Sequence, residues 1–326
     1  MNIRATRRRR GLILGAALTA LGLLLAGCAA EPRASAPSTG PFDLTTKNVR
    51  ARPRIDPVPE AVAALQASGF TPAKSGTLTV AHAPFTPPIL FLAEDDNKTI
   101  LGSDADFAQL IADGLGLTYA PKSVSWADWP LGVQSGKYDI GASNITVTEE
   151  RKDLFDFATY RDDVVSFAVA KDSAITRISE AKDVSGKKVV VGSGTNQEKV
   201  LLGWFAANEA AGLPPGEAVY FDDVAAATLA LTSGRVDATL GPNATNAYRA
   251  ATTGETKLVG AINGGYPANA EIGAVTAKGN GLAEPIRLVL NSLIADGTYA
   301  KVLKRWSVEV EGLDVSLVNP PGLPRE

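Results

Sequence analysis

The residues able to do chemistry in this 326-residue chain are few, and their scarcity is informative. There is one histidine, His82, and one cysteine, Cys28. A triad or a histidine-rich metal site would therefore depend on His82 alone. Its flanks (Val80-Ala81-His82-Ala83-Pro84) carry no acid, so a satisfied histidine at a strand end is expected. The carboxylate pairs Asp95/Asp96, Asp162/Asp163 and Asp222/Asp223 read as loop residues without a supporting motif. No catalytic group, cofactor site or metal site is expected.

Two segments are more promising. In Lys137-Tyr-Asp139-Ile-Gly-Ala-Ser143-Asn144-Ile-Thr146-Val-Thr148-Glu-Glu-Arg151, a short strand leads to Thr148 at an N-cap position, with Arg151 in the first turn of a short helix. A cation there opposes the helix dipole at a cost of a few tenths to about 1 kcal/mol, which a nearby anion would offset. A surface ion pair with Glu149, Glu150 or Asp153 is the plainer alternative. In Gly192-Ser-Gly194-Thr195-Asn196-Gln-Glu198, a valine-rich strand ends in glycines, and Thr195 and Glu198 have capping-box spacing. Free N–H groups at such a helix start suit an anion. The Gly-Lys-Ser/Thr ending of a phosphate-binding P-loop is missing, and the box can equally be structural. Trp126, between Ser125 and Asp128, reads as an exposed platform, though either it or Trp129 could be core. Asp106 and Asp113 flank an amphipathic helix and read as solvated or capping charges.

The elements that must position these residues follow from patterning. Thr77 to Ala81 alternates as a strand, and Asp104 to Leu115 reads as a helix with Phe107, Leu110 and Ile111 on one face, ended by Gly116. Strands are expected within Arg161–Ala170, Gly186–Gly192, Val236–Leu240 and Ala270–Ala277. Helices are expected over residues 196–210, Glu284–Asp296 and Thr298–Trp306, with a strand, turn and helix between Tyr220 and Gly234. Pro59 to Ser68 makes a weak helix, and residues 42–57, proline-broken and polar, a loosely packed arm. Strands alternating with helices define an α/β architecture.

The first 28 residues are of another kind. Arg7 to Arg10 precede a 16-residue apolar and small-residue run, Gly11 to Ala26, shorter than the roughly 20 residues that span a bilayer. A basic start, a short apolar core and a small-residue end make a secretory signal. Leu25-Ala26-Gly27-Cys28 resembles a bacterial lipobox, which implies cleavage before Cys28 and lipidation of its sulfur. The arginine pairs also loosely resemble a twin-arginine signal, although any arginine-rich start contains them. Residues 28–41, rich in proline, serine and alanine, would tether the folded body to the membrane. Residues 1–27 hold five arginines and no acid, so their removal moves the formal charge from −3 to about −8. A net acidic body offers no footprint for nucleic acid.

From Thr77 to Pro320 the ordered segments resemble the extracellular solute-binding proteins of polar amino-acid ABC importers. Pro87-Pro88-Ile89 with Gly102-Ser103-Asp104-Ala-Asp106 is similar to that family's Pro-Pro-Phe and Gly-Phe-Asp-Val-Asp stretches. Gln134-Ser-Gly-Lys-Tyr-Asp139, Thr146-Val-Thr-Glu-Glu-Arg151, Asp156-Phe157-Ala, Ser233-Gly-Arg-Val-Asp237-Ala and Asp296-Gly-Thr-Tyr299 complete the order. The resemblance implies a two-lobed, type II periplasmic-binding-protein-like α/β fold, its lobes joined by two crossover strands. Lobe one would comprise residues 77–165 and 268–326, lobe two residues 166–267. It implies that Arg151 pairs with a ligand carboxylate, with Ser143, Asn144 and Thr146 on the polar strand before it and Trp126 packing on the ligand. Phe85 or Thr86 matches the opposing aromatic position, and Thr195 and Asn196 the second-lobe helix start. The acid that commonly follows the Val236-Asp237-Ala segment is missing: Leu240-Gly241-Pro242-Asn243 leaves Asn243 as the nearest polar group. The implied function is capture of a small carboxylate solute, an amino acid first, for a membrane permease. A ligand-sensing subunit, or an exported dehydratase or cell-wall lytic enzyme on the same fold, is the alternative.

Overall fold

The computed structural model describes residues 40–325, so the signal, Cys28 and most of the expected tether lie outside the described residues. The secondary elements in chain order are α1 (Pro59–Ala67), β1 (Thr77–His82), β2 (Phe91–Leu92), β3 (Ile100–Leu101), α2 (Ser103–Gly114), β4 (Thr118–Ser123), α3 (Trp129–Gln134) and β5 (Ile140–Gly141). They continue with β6 (Phe155–Asp162), β7 (Val164–Ala170), β8 (Lys188–Val190), α4 (Asn196–Ala210), β9 (Glu217–Val219), α5 (Val224–Thr232) and β10 (Ala238–Pro242). The last are α6 (Asn243–Thr253), β11 (Thr256–Asn263), β12 (Glu271–Ala277), α7 (Ala283–Ala295) and α8 (Thr298–Arg305).

Two five-stranded sheets organise the chain. One has the order β4-β1-β5-β12-β6, with β1 parallel to β4 and β5, and β12 antiparallel to β5 and β6. The other has the order β11-β7-β10-β8-β9, with β8 parallel to β9 and β10, and β7 antiparallel to β10 and β11. The chain passes between the sheets twice, from β6 to β7 through Asp163 and from β11 to β12 through residues 264–270. These passages are bonded to each other: Asp163 N–H donates to the Ala270 carbonyl (3.1 Å), and Gly264 N–H to the Asp163 carbonyl (2.8 Å).

Each sheet carries its own core. Leu78, Val80, Phe107, Leu110, Ile111, Ile286, Val289 and Leu290 pack together on the first, and Val165, Phe167, Val189, Leu201 and Trp204 on the second. The helical spacing of Phe107, Leu110 and Ile111 is what turns one face of α2 inward. Gly102 makes the entry to that helix possible, since at φ +121° a Cβ there would stand 2.2 Å from the Ile89 carbonyl oxygen. Three elements have weak local signals. β4 contains Pro121 and is largely exposed; proline is tolerated because β4 is an edge strand. α6 is rich in asparagine and threonine, poor helix formers, and β11 alternates imperfectly around a bulge between Leu258 and Gly260.

Two expectations are corrected here. Asp106 is fully buried, not solvated, and its carboxylate accepts hydrogen bonds from Arg52 Nε (2.6 Å), Arg305 Nε (2.8 Å) and Trp306 Nε1 (2.9 Å). Asp113 is also buried and pairs with Arg54 (2.6 Å). The segment expected to be a loose arm is therefore fastened, because Arg52 and Arg54 neutralise acids that α2 has turned inward. Leu44 joins the core, and the Phe42 ring lies 5.3 Å from Trp306 of the first sheet's layer and 5.7 Å from Tyr248 of α6 in the second. Asp106→Ala leaves two arginines without their carboxylate and should cost about 3–5 kcal/mol. A urea unfolding midpoint lowered accordingly is the expected result, with Asp95→Ala as the surface control.

Candidate functional site

Both walls of a cleft of about 510 Å³ are built at the carboxyl ends of parallel strands, where α/β sheets leave free loops and helix starts. On the first sheet, β1 delivers Ala83, Pro84, Phe85 and Thr86, β4 delivers Ser125 and Trp126, and β5 delivers Ser143 and Asn144. On the second, β8 delivers Gly192, Ser193, Thr195 and Asn196, β9 delivers Phe221 to Asp223, and β10 runs directly into α6.

Arg151 lies on a single 3-10 turn, Arg151–Asp153, not at the start of an α-helix; it stands beside the cleft-lining Trp126 and is not itself among the lining residues. The residue at the N-cap of this turn is Glu150, not Thr148 as expected, although the Thr148 hydroxyl accepts the Arg151 N–H (3.0 Å). The guanidinium donates to two backbone carbonyls, Thr146 (2.9 Å) and Gly194 (3.4 Å), the second of which belongs to the opposite sheet's layer. Its carbon lies 5.6 Å from the Trp126 ring and 5.9 Å from the Trp129 ring, contacts that hold a cation without neutralising it. No acid forms an ion pair with it among the described residues: Glu149 binds Lys152, Glu150 binds Lys199 and Asp153 binds Arg325. Burial pulls its pKa down to about 10, and the nearby Asp163 pushes the other way, so the group stays cationic at neutral pH.

The polar residues around it divide into two kinds. Ser143 is buried, and its hydroxyl accepts the Ala83 N–H (2.8 Å), tying the loop after β1 to the loop after β5. Asn144 adopts φ +53°, which asparagine tolerates better than most residues. Its side-chain oxygen accepts from Arg161 Nη2 (2.7 Å), and Arg161 also binds Asp104 (3.0 Å) and Glu311. The Asn144 N–H donates to Asp104 Oδ2 (2.5 Å), whereas its side-chain nitrogen Nδ2 makes no hydrogen bond among the described residues and is left for the cleft. Thr146 and Asn196 instead face each other in a buried knot. The Thr146 hydroxyl lies 2.7 Å from Asp163 Oδ2 and 2.9 Å from Asn196 Oδ1, and Asn196 Nδ2 donates to Asp163 Oδ2 (2.7 Å) and the Gly264 carbonyl (2.9 Å).

Thr195 caps α4 as its spacing predicts, accepting the Glu198 N–H (3.1 Å) and donating to the Gly192 carbonyl (2.7 Å). Glu198 reaches back to the Gly194 N–H (2.6 Å), so that N–H is already taken by a carboxylate. The Asn196 and Gln197 N–H groups have no acceptor among the described residues. Trp126 and the partly exposed Phe85 both line the cleft. Asn243 sits in the first turn of α6, off the cleft wall, while Pro242, Thr245, Asn246 and Arg249 line it.

His82 is buried, as its sequence context predicts. Its Nδ1 lies 2.6 Å from the Ala142 carbonyl and must carry the proton, leaving Nε2 to accept from the Tyr119 hydroxyl (2.7 Å). Burial lowers its pKa to about 3, so it is neutral across the physiological range. No group of three or more His, Cys, Asp or Glu residues is placed to hold a metal among the described residues, and no described helix is long and apolar enough to cross a membrane.

Two layers of α/β structure joined by paired crossovers, with a cleft walled by strand ends and helix starts of both, define a binding protein of the two-lobed periplasmic type. The chain belongs to the bacterial extracellular solute-binding proteins, family 3, whose sequence profile matches residues 78–309. It is 30% identical over 266 residues to the arginine-binding protein ArgT of Corynebacterium glutamicum, covering 81% of this chain and 84% of that one. It is also 30% identical over 236 residues to the L-cystine-binding protein TcyJ of Escherichia coli, covering 71% and 82%. Among solved structures, an ancestral arginine-binding protein bound to arginine matches with a TM-score of 0.61 and 31% identity over 71% of this chain and 98% of that one. An ancestral amino acid-binding protein, a precursor of cyclohexadienyl dehydratase, matches with a TM-score of 0.60 and 28% identity over 71% and 95%.

Sequence reasoning missed Asp163, read as one of a loop pair. Burial raises its pKa from 3.8 to about 6, with Thr146, Arg161, Asn196 and Arg151 opposing the rise. A raised carboxyl binds its proton more tightly folded than unfolded, so its contribution to stability is present at low pH and is lost as pH rises from about 4 to about 6. Asp163→Asn cannot ionise. The stability of the wild type relative to this variant should therefore fall between pH 4 and pH 7, measured by urea titration at both values. Gly264 has no room for a side chain, since a Cβ would stand 1.9 Å from Asp163 Oδ2. Gly264→Ala should destabilise the fold by about 1–3 kcal/mol, read from the same titration.

Proposed function

We infer that this chain is the solute-capturing component of an ABC importer. It takes a small carboxylate solute, an α-amino acid in the first instance, between its lobes and delivers it to a membrane permease without turning it over. Arg151 carries this function: a guanidinium held by two carbonyls and two indole rings, with no ion pair of its own, presents free donors to a carboxylate. Ser143 and Asn144 on one wall and Thr195 with the first-turn N–H groups of α4 on the other would complete the carboxylate site, with Trp126 and Phe85 packing on the carbon skeleton. The amino acids named for the relatives, arginine and cystine, support the ligand class. Binding would draw the walls together, and the permease would recognise that form by population shift. The lipobox-like Leu25-Ala26-Gly27-Cys28 supports tethering to the outer face of the cell membrane through a lipid on Cys28.

Calorimetric titration of the protein with the standard amino acids and their amino-free analogues tests the function. At least one carboxylate should bind with measurable heat and without chemical change. Arg151→Ala should weaken that ligand by about 30-fold or more, since losing one partner of a desolvated charge pair costs about 2 kcal/mol upwards. Retained affinity in a variant that still melts cooperatively would overturn the assignment of Arg151.

A further inference from the structure

The second lobe's wall contains another cation that the carboxylate site does not use. One face of α6 and its cap lines the cleft at Pro242, Thr245, Asn246 and Arg249, spaced three and four residues apart. The first polar members of that stripe are spent inside the fold. The Thr245 hydroxyl donates to the Pro242 carbonyl (2.9 Å), and Asn246 Nδ2 donates to the Ser166 carbonyl (2.9 Å) and lies 3.3 Å from its hydroxyl. Arg249 differs: its guanidinium makes no hydrogen bond or ion pair among the described residues, although it is partly buried on the cleft wall.

The acids on the cleft wall are Asp222 and Asp223, before α5. Asp223 is committed to capping that helix through the Ala226 N–H (2.7 Å). Desolvation alone lowers the Arg249 pKa, with no neighbouring carboxylate to oppose it. Arg249 thus lines the cleft on the second lobe without a counter-ion, Arg151 stands beside the cleft-lining Trp126 without one, and Gly241-Pro242-Asn243 offers no acid. Two desolvated guanidinium groups without ion pairs are costly until an anion reaches each.

We propose that Arg249 receives a second acidic group of the solute, so that the ligand is a small dicarboxylate, with or without an amino group, spanning Arg151 and Arg249. The proposal rests on the cleft being the solute site and Arg151 its carboxylate anchor. A second guanidinium supplies planar, bidentate geometry for the distal carboxylate and excludes a cationic tail by repulsion. A neutral amide in place of that carboxylate would leave Arg249 buried and unpaired.

The test is calorimetric titration of the protein with glutamate, glutarate, glutamine and arginine, on wild type, Arg249→Gln and Arg249→Lys. Glutamate or glutarate should bind about 30-fold or more tightly than glutamine or arginine. Arg249→Gln should remove that preference, weakening the dianions and relieving the penalty on glutamine, and Arg249→Lys should restore part of it. The two dianions separate the sources: glutamate ahead of glutarate assigns an acidic amino acid, and the reverse order an amino-free dicarboxylate. Glutamine or arginine binding as tightly as either dianion in the wild type would overturn the proposal whether or not the variants fold. If Arg151→Ala then abolishes that binding, the carboxylate-binding function stands and only the role of Arg249 falls. No heat with any of the four would overturn the proposal and turn the wider screen onto the function itself.

Discussion

A single buried carboxylate ties this molecule together at the point where its two sheets join. Asp163 is the one residue between β6 and β7, so its backbone is the shortest path from one sheet to the other. Its N–H and carbonyl bond the second crossover, and its side chain gathers Thr146 from the first lobe and Asn196 from the start of α4 in the second. A charge withdrawn from water is tolerable only where donors converge on it. That requirement fixes Gly264, which leaves room for the carboxylate, and it fixes the side of α4 that faces the first lobe. Because Arg151 bonds the Thr146 carbonyl, the guanidinium inherits its place from the same knot.

The distribution of charge elsewhere follows one rule with a telling break. Two deeply buried acids of the first lobe are matched by cations, Asp106 by Arg52 and Arg305 and Asp104 by Arg161, while Asp139 is held by the Ala73 and Thr79 N–H groups instead. Arg161 also binds Glu311, whose pKa burial lifts to about 7. The exposed acids beside Arg151 likewise have their own cations. Arg151 and Arg249 differ from these: each is partly buried and forms no ion pair among the described residues, Arg249 on the cleft wall and Arg151 beside the cleft-lining Trp126.

Much of this was legible from local pattern. β1, α2 and α4 sit within a residue or two of where alternation, helical spacing and the Thr195–Glu198 box put them, because each obeys its own local rule. The cleft position of Trp126 and the unpaired state of Arg151 were harder to read, since Glu149, Glu150 and Asp153 are adjacent and their true partners are distant or turn-dependent. Asp163 had a signal that went unused: it falls in step with Val165, Phe167 and Val169, all inward on β7. An acid in phase with a buried face is a candidate for a structural or functional charge. Asp106 obeyed the opposite logic, its burial decided by an arm some fifty residues upstream in sequence. β4 and α6 were invisible because an edge position and tertiary packing override poor propensity. With α6 unread, nothing in the sequence placed Arg249 on the cleft.

The clasp formed by Phe42 has a mechanical meaning. Its ring bears on Trp306 of one lobe and on Tyr248 of the other, so any rotation that parts those two rings must detach it from one of them. Any such rotation would be resisted at this aromatic contact as well as at the two crossovers.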